Sequence, residues 1–108
     1  MKGSGQAQVR MAALLAGFPV TCSAMSVNRL CSSGLEAVSI VANKIQSGVI
    51  DIGVAGGVEN MSMYDMMSMI DVDKISDQVF EHETARNCLM GMGETSENVA
   101  EKFGITRN

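Results

Sequence analysis

Apolar residues recur at helical spacing in the middle of the chain, where they predict its clearest helix. Ser33 and Glu36 match a capping box at the start of this helix, Lys44 lies near its end, and Gly48 follows as a terminator. We therefore expect a helix over residues 32–47. The side chains expected to be buried are Leu35, Val38, Val41 and Ile45. Those expected to be more exposed are Glu36, Asn43, Lys44 and Gln46.

Two segments that flank this helix predict β-strands. Ala24–Asn28 favours a short strand, and Val49–Ala55 is apolar almost throughout, as is typical of a strand buried on both faces. Strand, helix and strand at this spacing form a βαβ unit, which implies a parallel pair joined by a right-handed crossover. The pattern therefore predicts an α/β fold.

The rest of the chain predicts helices at both ends and irregular structure between residues 58 and 92. Ser4 can cap a helix over 5–16, which Gly17 and Pro19 would stop. Residues 58–92 are rich in methionine and charge without sustained periodicity, so we expect short helices and loops there. A last helix is expected from Thr95 or Ser96 to Gly104.

Thr106 near the end of the sequence has the character of a helix N-cap residue, but the helix that it would introduce is missing. This pattern indicates truncation of a longer chain.

Composition and charge exclude several functional classes. The 108 residues are 46% hydrophobic and include ten methionines, which indicates a globular chain with an aliphatic, methionine-filled core. Twelve acidic and eight basic residues give a net charge of −4 and no basic cluster, so we expect no nucleic-acid partner. No apolar run reaches the roughly 18 residues of a membrane span. The odd count of three cysteines, widely spaced, predicts free thiols.

Cys31 is the residue with the clearest chemical potential. It lies at a strand-to-helix junction, where unpaired backbone N–H groups and the positive end of the helix dipole favour a thiolate over a thiol. Gly34 leaves room for a ligand close to the backbone. The position alone is also compatible with a small buried cysteine that has no chemical role.

The run VNRLCSSGLEAV at residues 27–38 resembles the segment around the acyl-accepting cysteine of degradative thiolases. Three further stretches resemble the same family in the same order. They are GQAQVRMAALLAGFP before this run, and DIGVAGGVENMS and MGETSENVAEKFGITR after it. The four stretches cover nearly the whole chain, with residues 64–86 matching loosely. The chain is therefore identified as resembling part of a 3-ketoacyl-CoA thiolase.

The resemblance implies a fragment of the thiolase fold, with residues 1–60 in the N-terminal core domain and residues 61–108 at the start of the loop domain. It implies cleavage of 3-ketoacyl-CoA in fatty acid β-oxidation, with Cys31 as the nucleophile and its backbone N–H as an oxyanion donor. Coenzyme A would be a co-substrate, with no permanently bound cofactor and no metal. The complete enzyme would be a homodimer, located in the peroxisome or alternatively in the mitochondrion or cytoplasm.

The family also uses residues that these 108 positions lack. They are a histidine in a Gly-His-Pro setting, a second cysteine that acts as acid and base, and an Asn-Glu-Ala-Phe motif, all in the C-terminal half of the family. His82, the one histidine, is therefore expected to be a solvated loop residue. Cys88 is not the second cysteine, because no glycine-rich motif follows it.

Met92 aligns with a position that lines the acyl-pantetheine pocket in related thiolases, although ordinary core packing is an equal alternative. The preceding Gly91 departs from the histidine of short-chain thiolases and from the proline common in the peroxisomal type, so chain-length preference stays open. The methionines between residues 61 and 69 could suggest copper(I), but without a nearby histidine or cysteine we expect packing instead. They are Met61, Met63, Met66, Met67 and Met69.

Two other functions remain open from the sequence. One is a biosynthetic acetoacetyl-CoA thiolase of the same superfamily, against which VNRL and SSGLEAV around Cys31 favour the degradative type. The other is a truncated, non-catalytic interaction module. The sequence on either side of this segment would separate the enzyme from the module.

Overall fold

The computed structural model describes residues 5–66 and 70–108. The chain divides into two units, Met1–Ile70 and Asp71–Asn108. Helices α1 (Gln6–Leu15) and α2 (Ser33–Gln46) lie in the first unit. The second unit contains a 3₁₀ turn at Val72–Lys74, followed by α3 (Asp77–Glu81), α4 (Glu83–Asn87) and α5 (Met92–Phe103).

Helix α1 forms almost where the sequence predicts it. Gly5 is the N-cap residue, with extended backbone, and the predicted cap Ser4 lies outside the described residues. The chain leaves the helix through Gly17, whose φ of 90° is a conformation that glycine adopts without steric cost. The predicted end of the helix is therefore confirmed.

Polar side chains of α1 hold the following segment back along the helix. The Arg10 guanidinium donates to the carbonyl oxygens of Val20, at 2.7 Å, and of Cys22. Gln6 Nε2 donates to the carbonyl of Ala24 at 2.9 Å. These bonds satisfy backbone acceptors that a neighbouring strand would otherwise satisfy, and residues 24–28 form no strand.

Helix α2 is confirmed over nearly its whole predicted length, but its capping box is wrong. Ser32, not Ser33, is the N-cap residue, and its side chain makes no capping bond. Glu36 pairs with Arg29 instead of returning to the backbone at the helix start. Lys44 lies in the last turn, and Gly48 ends the helix with a φ of 71°, both as predicted.

The predicted burial of the apolar face of α2 is wrong in this structure. Leu35 is 76% exposed, Val38 54% and Ile45 42%, and no side chain in the described part of the chain is buried. The backbone at Gly53 lies close to this face, since an added Cβ there would lie 2.6 Å from Val41 Cγ1. An amphipathic stripe becomes buried only when a second layer covers it.

The strand predicted at 49–55 is not formed in the described residues. Residues 5–66 and 70–108 contain no pair of strands, only an isolated parallel bridge between Arg29 and Cys31. A strand exposes N–H and C=O groups on both sides and is stable only beside another strand. Residues 49–55 have no such neighbour here, so the described residues are helical and irregular.

The second unit agrees better with the sequence. Short helices and loops are confirmed for the described residues between 70 and 92. The last helix begins earlier than predicted, with Gly91 as the N-cap residue, and the Thr95 hydroxyl donates to the Gly91 carbonyl at 3.1 Å. Its predicted end is confirmed, since Gly104 adopts a left-handed conformation with a φ of 64°.

Gly93 within α5 and Gly104 directly after it should respond oppositely to substitution by alanine. Gly104→Ala places a Cβ in the left-handed region and should destabilise the helix end by about 1 kcal/mol. Gly93→Ala meets no atom within 4 Å and should stabilise the helix by up to about 1 kcal/mol. Far-ultraviolet circular dichroism of the 108-residue polypeptide should therefore lose helical signal in the first variant and gain it in the second. Equal shifts in the two variants would contradict this account of the cap.

Candidate functional site

Cys31 lies on an exposed turn that leads directly into α2. Its thiol is free and exposed, and the N-cap residue Ser32 follows it. The predicted position at a helix start is therefore confirmed, whereas the preceding strand is not present. The role of Cys31 as a nucleophile stays a prediction.

Side-chain hydrogen bonds fix the conformation of this turn. Leu30 has a φ of 50°, which costs a non-glycine residue about 1–2 kcal/mol. Asn28 Oδ1 accepts a bond from the Leu30 N–H at 2.9 Å. Ser33 Oγ accepts from the Arg29 N–H at 2.9 Å and donates to the Leu30 carbonyl at 2.6 Å. Net hydrogen-bond contributions of about 1 kcal/mol each are of the size needed to offset the backbone strain.

An ion pair ties the turn to the first turn of α2. The Arg29 guanidinium donates to the Glu36 carboxylate at 2.7 Å, with Arg29 71% and Glu36 31% exposed. Exposed pairs of this kind contribute roughly 0–1 kcal/mol to stability. The main effect of the pair is therefore to hold Arg29 close to the first turn of α2. Glu36 also lies near the positive end of the helix dipole, where a negative charge is favourable.

The space around the start of α2 is open. A Cβ added at Gly34 would meet no atom within 4 Å. In the described part of the chain, no acceptor contacts the backbone N–H of Cys31 or Gly34. A bound acyl thioester could therefore reach the thiol and place its oxygen against backbone donors.

The other two cysteines have different surroundings. Cys22 is half-buried, with Sγ 3.6 Å from the carbonyl of Ser23. Cys88 is exposed at the C-terminal end of α4, with Sγ 3.6 Å from the carbonyl of Thr84. Neither lies at the N-terminal end of a helix, so the structure distinguishes Cys31 from both.

His82 is an exposed residue with a local structural contact. Its Nδ1 accepts a hydrogen bond from the Ala85 N–H at 3.3 Å, which caps α4. The sequence did not predict this cap, because histidine is not among the residues usually preferred at that position. The roles of Asn28 and Ser33 were also missed. The available signal for this turn was Asn28, because an asparagine side chain often accepts a hydrogen bond from the backbone N–H two residues later.

Met92 is the first residue of α5 and is 68% exposed. It belongs to the second unit and Cys31 to the first, and the core-packing alternative does not apply within the described residues.

Met61, Met63 and Met66 are likewise exposed, while Met67 and Met69 lie outside the described residues. Residues 5–66 and 70–108 contain no group of three or more His, Cys, Asp or Glu side chains that could hold a metal ion. Across the same residues, no helix has the length and apolar character to span a membrane.

Comparison with known proteins places the chain in a class. The family model described as "Thiolase, N-terminal domain" matches residues 1–108. The chain therefore belongs to the thiolase family and matches its N-terminal domain. No solved structure matches it significantly.

Similar proteins carry a more particular name. The chain is 50% identical over 105 residues to "3-ketoacyl-CoA thiolase A, peroxisomal" from Mus musculus and 48% identical to "3-ketoacyl-CoA thiolase, peroxisomal" from Homo sapiens. Each match covers 97% of this chain and 24% of the relative. "3-ketoacyl-CoA thiolase 2, peroxisomal" from Arabidopsis thaliana is 46% identical over 100 residues, or 93% of this chain and 21% of that relative. The chain thus spans about a quarter of the length of these relatives.

Proposed function

We propose that this chain is the nucleophile-bearing part of a 3-ketoacyl-CoA thiolase, an acetyl-CoA C-acyltransferase of fatty acid β-oxidation. The observation that carries the proposal is the position of Cys31, an exposed free thiol at the start of α2 within the VNRLCSSG segment. The identity of about half of the aligned residues with relatives named 3-ketoacyl-CoA thiolases supports the same reaction.

In the proposed reaction, the Cys31 thiolate attacks the 3-keto carbon of the substrate and forms a C–S bond. The bond between the α- and β-carbons then breaks, and the acetyl-CoA enolate leaves and takes up a proton. The thiol of coenzyme A, losing its proton, next attacks the acyl-cysteine thioester, releases the shortened acyl-CoA and regenerates Cys31. Covalent catalysis thereby divides one difficult step into two easier ones.

The surroundings of Cys31 support this chemistry. Its own backbone N–H is available to stabilise the oxyanion that forms when the carbonyl is attacked, and the helix dipole of α2 favours negative charge there. The groups that ionise Cys31 and protonate the enolate would be the histidine of a Gly-His-Pro motif and the second cysteine, in a Cys-x-Gly-Gly-Gly-like motif. Residues 1–108 contain neither motif.

We also propose that the longer protein has the α/β architecture of the thiolase core. In the longer protein, neighbouring strands would pair with residues 49–55 and cover the apolar face of α2. Residues 1–60 would belong to the core domain and residues 61–108 to the start of the loop domain. Met92 would line the acyl-pantetheine pocket. The enzyme would be a homodimer with coenzyme A as co-substrate and no permanently bound cofactor.

We propose a peroxisomal location and the degradative subtype, because the relatives carry "peroxisomal" in their names. The biosynthetic acetoacetyl-CoA thiolase is distinguished by its substrate. A degradative enzyme should cleave longer 3-ketoacyl-CoA as well as acetoacetyl-CoA, whereas the biosynthetic type should act on acetoacetyl-CoA alone.

The test is to trap the acyl-enzyme in the full-length protein. Incubation with 3-ketodecanoyl-CoA without added coenzyme A, followed by an acid quench and peptide mass spectrometry, should find an octanoyl group on Cys31. A parallel sample with decanoyl-CoA, which lacks the 3-keto group, is the control and should leave the peptide without the octanoyl group. Octanoyl on Cys22 or Cys88 instead would refute the assignment, and no acylation of any cysteine would favour the non-catalytic module.

A further inference from the structure

The turn that carries Cys31 is held by two side chains to which the proposed reaction gives no chemical role. Ser33 Oγ bonds in both directions, accepting from the Arg29 N–H at 2.9 Å and donating to the Leu30 carbonyl at 2.6 Å. Asn28 Oδ1 accepts from the Leu30 N–H at 2.9 Å. The two side chains thus bond both backbone polar groups of Leu30, the residue immediately before Cys31, and the hydroxyl adds to the bond that the Ser33 backbone N–H donates to the same carbonyl at 3.0 Å.

The backbone of Leu30 explains why the turn needs these bonds. Leu30 is the only non-glycine residue in the described part of the chain with a positive φ. An L-residue leaves this conformation readily unless its surroundings hold it there. Release of Leu30 would rotate the next peptide and carry the Cys31 thiol away from the start of α2.

We propose that Ser33, supported by Asn28, is a positioning residue for Cys31. The hydroxyl of Ser33 links the Arg29 N–H to the Leu30 carbonyl, which its own backbone N–H also contacts at 3.0 Å, and so keeps Leu30 in its left-handed conformation and the thiol at the start of α2. The inference rests on the proposed function, since Cys31 must be the nucleophile for its position to affect turnover. Neither Ser33 nor Asn28 touches the reacting atoms in this assignment.

The neighbouring serine provides a matched control. Ser32 is also next to Cys31 in sequence, but its side chain makes no capping hydrogen bond. Its contacts within the turn are made by its backbone, which alanine retains, because Ser32 N–H donates to the Arg29 carbonyl at 3.1 Å. Ser32→Ala therefore removes a hydroxyl at the same place without releasing Leu30.

The kinetic test compares these variants in the full-length protein. Ser33→Ala should lower kcat for thiolysis of 3-ketodecanoyl-CoA by roughly 10- to 100-fold while KM changes less than about twofold, because displacement of a reacting group acts on the chemical step. Ser33→Thr keeps the hydroxyl and should restore kcat to within about threefold. Ser32→Ala should match the unmodified protein. Equal kcat values in Ser33→Ala and Ser32→Ala would overturn the proposal.

A second measurement does not depend on thiolase activity. Limited alkylation by iodoacetamide, in which the thiolate displaces iodide, is followed by peptide mass spectrometry at Cys22, Cys31 and Cys88 in one sample. Ser33→Ala should slow alkylation of Cys31 at least about threefold relative to the other two thiols, because the thiol leaves the exposed position that it has at the start of α2. A change of all three thiols together indicates general unfolding and overturns a positioning role.

The remaining outcomes separate this inference from the proposed function. If Ser33→Ala does not fold, Asn28→Ala carries the test, and unchanged relative alkylation of Cys31 in that variant overturns the proposal. Absence of thiolysis in the unmodified protein overturns the proposed function. The alkylation ratio then still decides whether Ser33 sets the position of the thiol.

Discussion

Cys31→Ala in the full-length protein is expected to abolish thiolysis, with a fall in kcat on the order of 10⁴-fold or more. The substitution removes the sulfur atom that bonds to the substrate, so no acyl-enzyme can form. The remaining active-site groups then have no covalent intermediate to stabilise. The change in volume is small and the side chain is exposed, so the free energy of unfolding should change by less than about 0.5 kcal/mol. Steady-state cleavage of 3-ketodecanoyl-CoA, with urea unfolding of the same preparation, measures both quantities.

Cys88→Ala is the matched control for this prediction. Cys88 is also a free, exposed cysteine, but it lies at the C-terminal end of a short helix and not at a helix start. The variant should retain kcat within about twofold. Full activity in Cys31→Ala, or loss of activity in Cys88→Ala alone, would contradict the assignment of the nucleophile.

The 108-residue polypeptide by itself is expected to show neither thiolase turnover nor a cooperative unfolding transition. Folding stability comes mainly from apolar surface removed from water, at roughly 25 cal/mol per Å², and none of the described side chains is buried. The exposed apolar residues include most of the apolar face of α2 and much of residues 49–58. We therefore expect helical circular dichroism, binding of hydrophobic dyes and self-association.

Turnover should be absent for a separate chemical reason. Positioned acid and base groups contribute roughly 10²–10⁴-fold each, and the 108 residues contain neither the Gly-His-Pro motif nor the Cys-x-Gly-Gly-Gly-like motif that the resemblance implies. The assay is 3-ketoacyl-CoA cleavage, with the Cys31→Ala polypeptide as the control. Turnover that requires Cys31 would show that the acid and base groups lie within this segment.

The expected lack of cooperative unfolding is tested separately from turnover. Urea titration followed by circular dichroism should give a gradual, non-sigmoidal loss of helix. A single sigmoidal transition with a slope of about 1 kcal/mol per M or more would indicate a cooperatively folded domain. The described chain would then bury apolar surface in solution that it leaves exposed in this structure.

The sequence by itself determined the features that depend on neighbouring residues. The periodicity of α2, its end at Gly48 and the end of α5 at Gly104 follow from local spacing and from the freedom of glycine at positive φ, and all three are confirmed. The placement of Cys31 at a helix start follows from the same local pattern. Family membership was also readable, because four ordered motifs cover nearly the whole chain.

Only the tertiary structure decided the features that depend on what lies across space. The apolar run at 49–55 has the composition of a buried strand, but a strand needs a partner, and the described residues offer none. The capping box predicted from Ser33 and Glu36 does not form. Glu36 pairs with Arg29 instead, and the Ser33 hydroxyl donates to the carbonyl of Leu30. One short pattern allows several hydrogen-bond partners, and the choice among them belongs to the folded backbone.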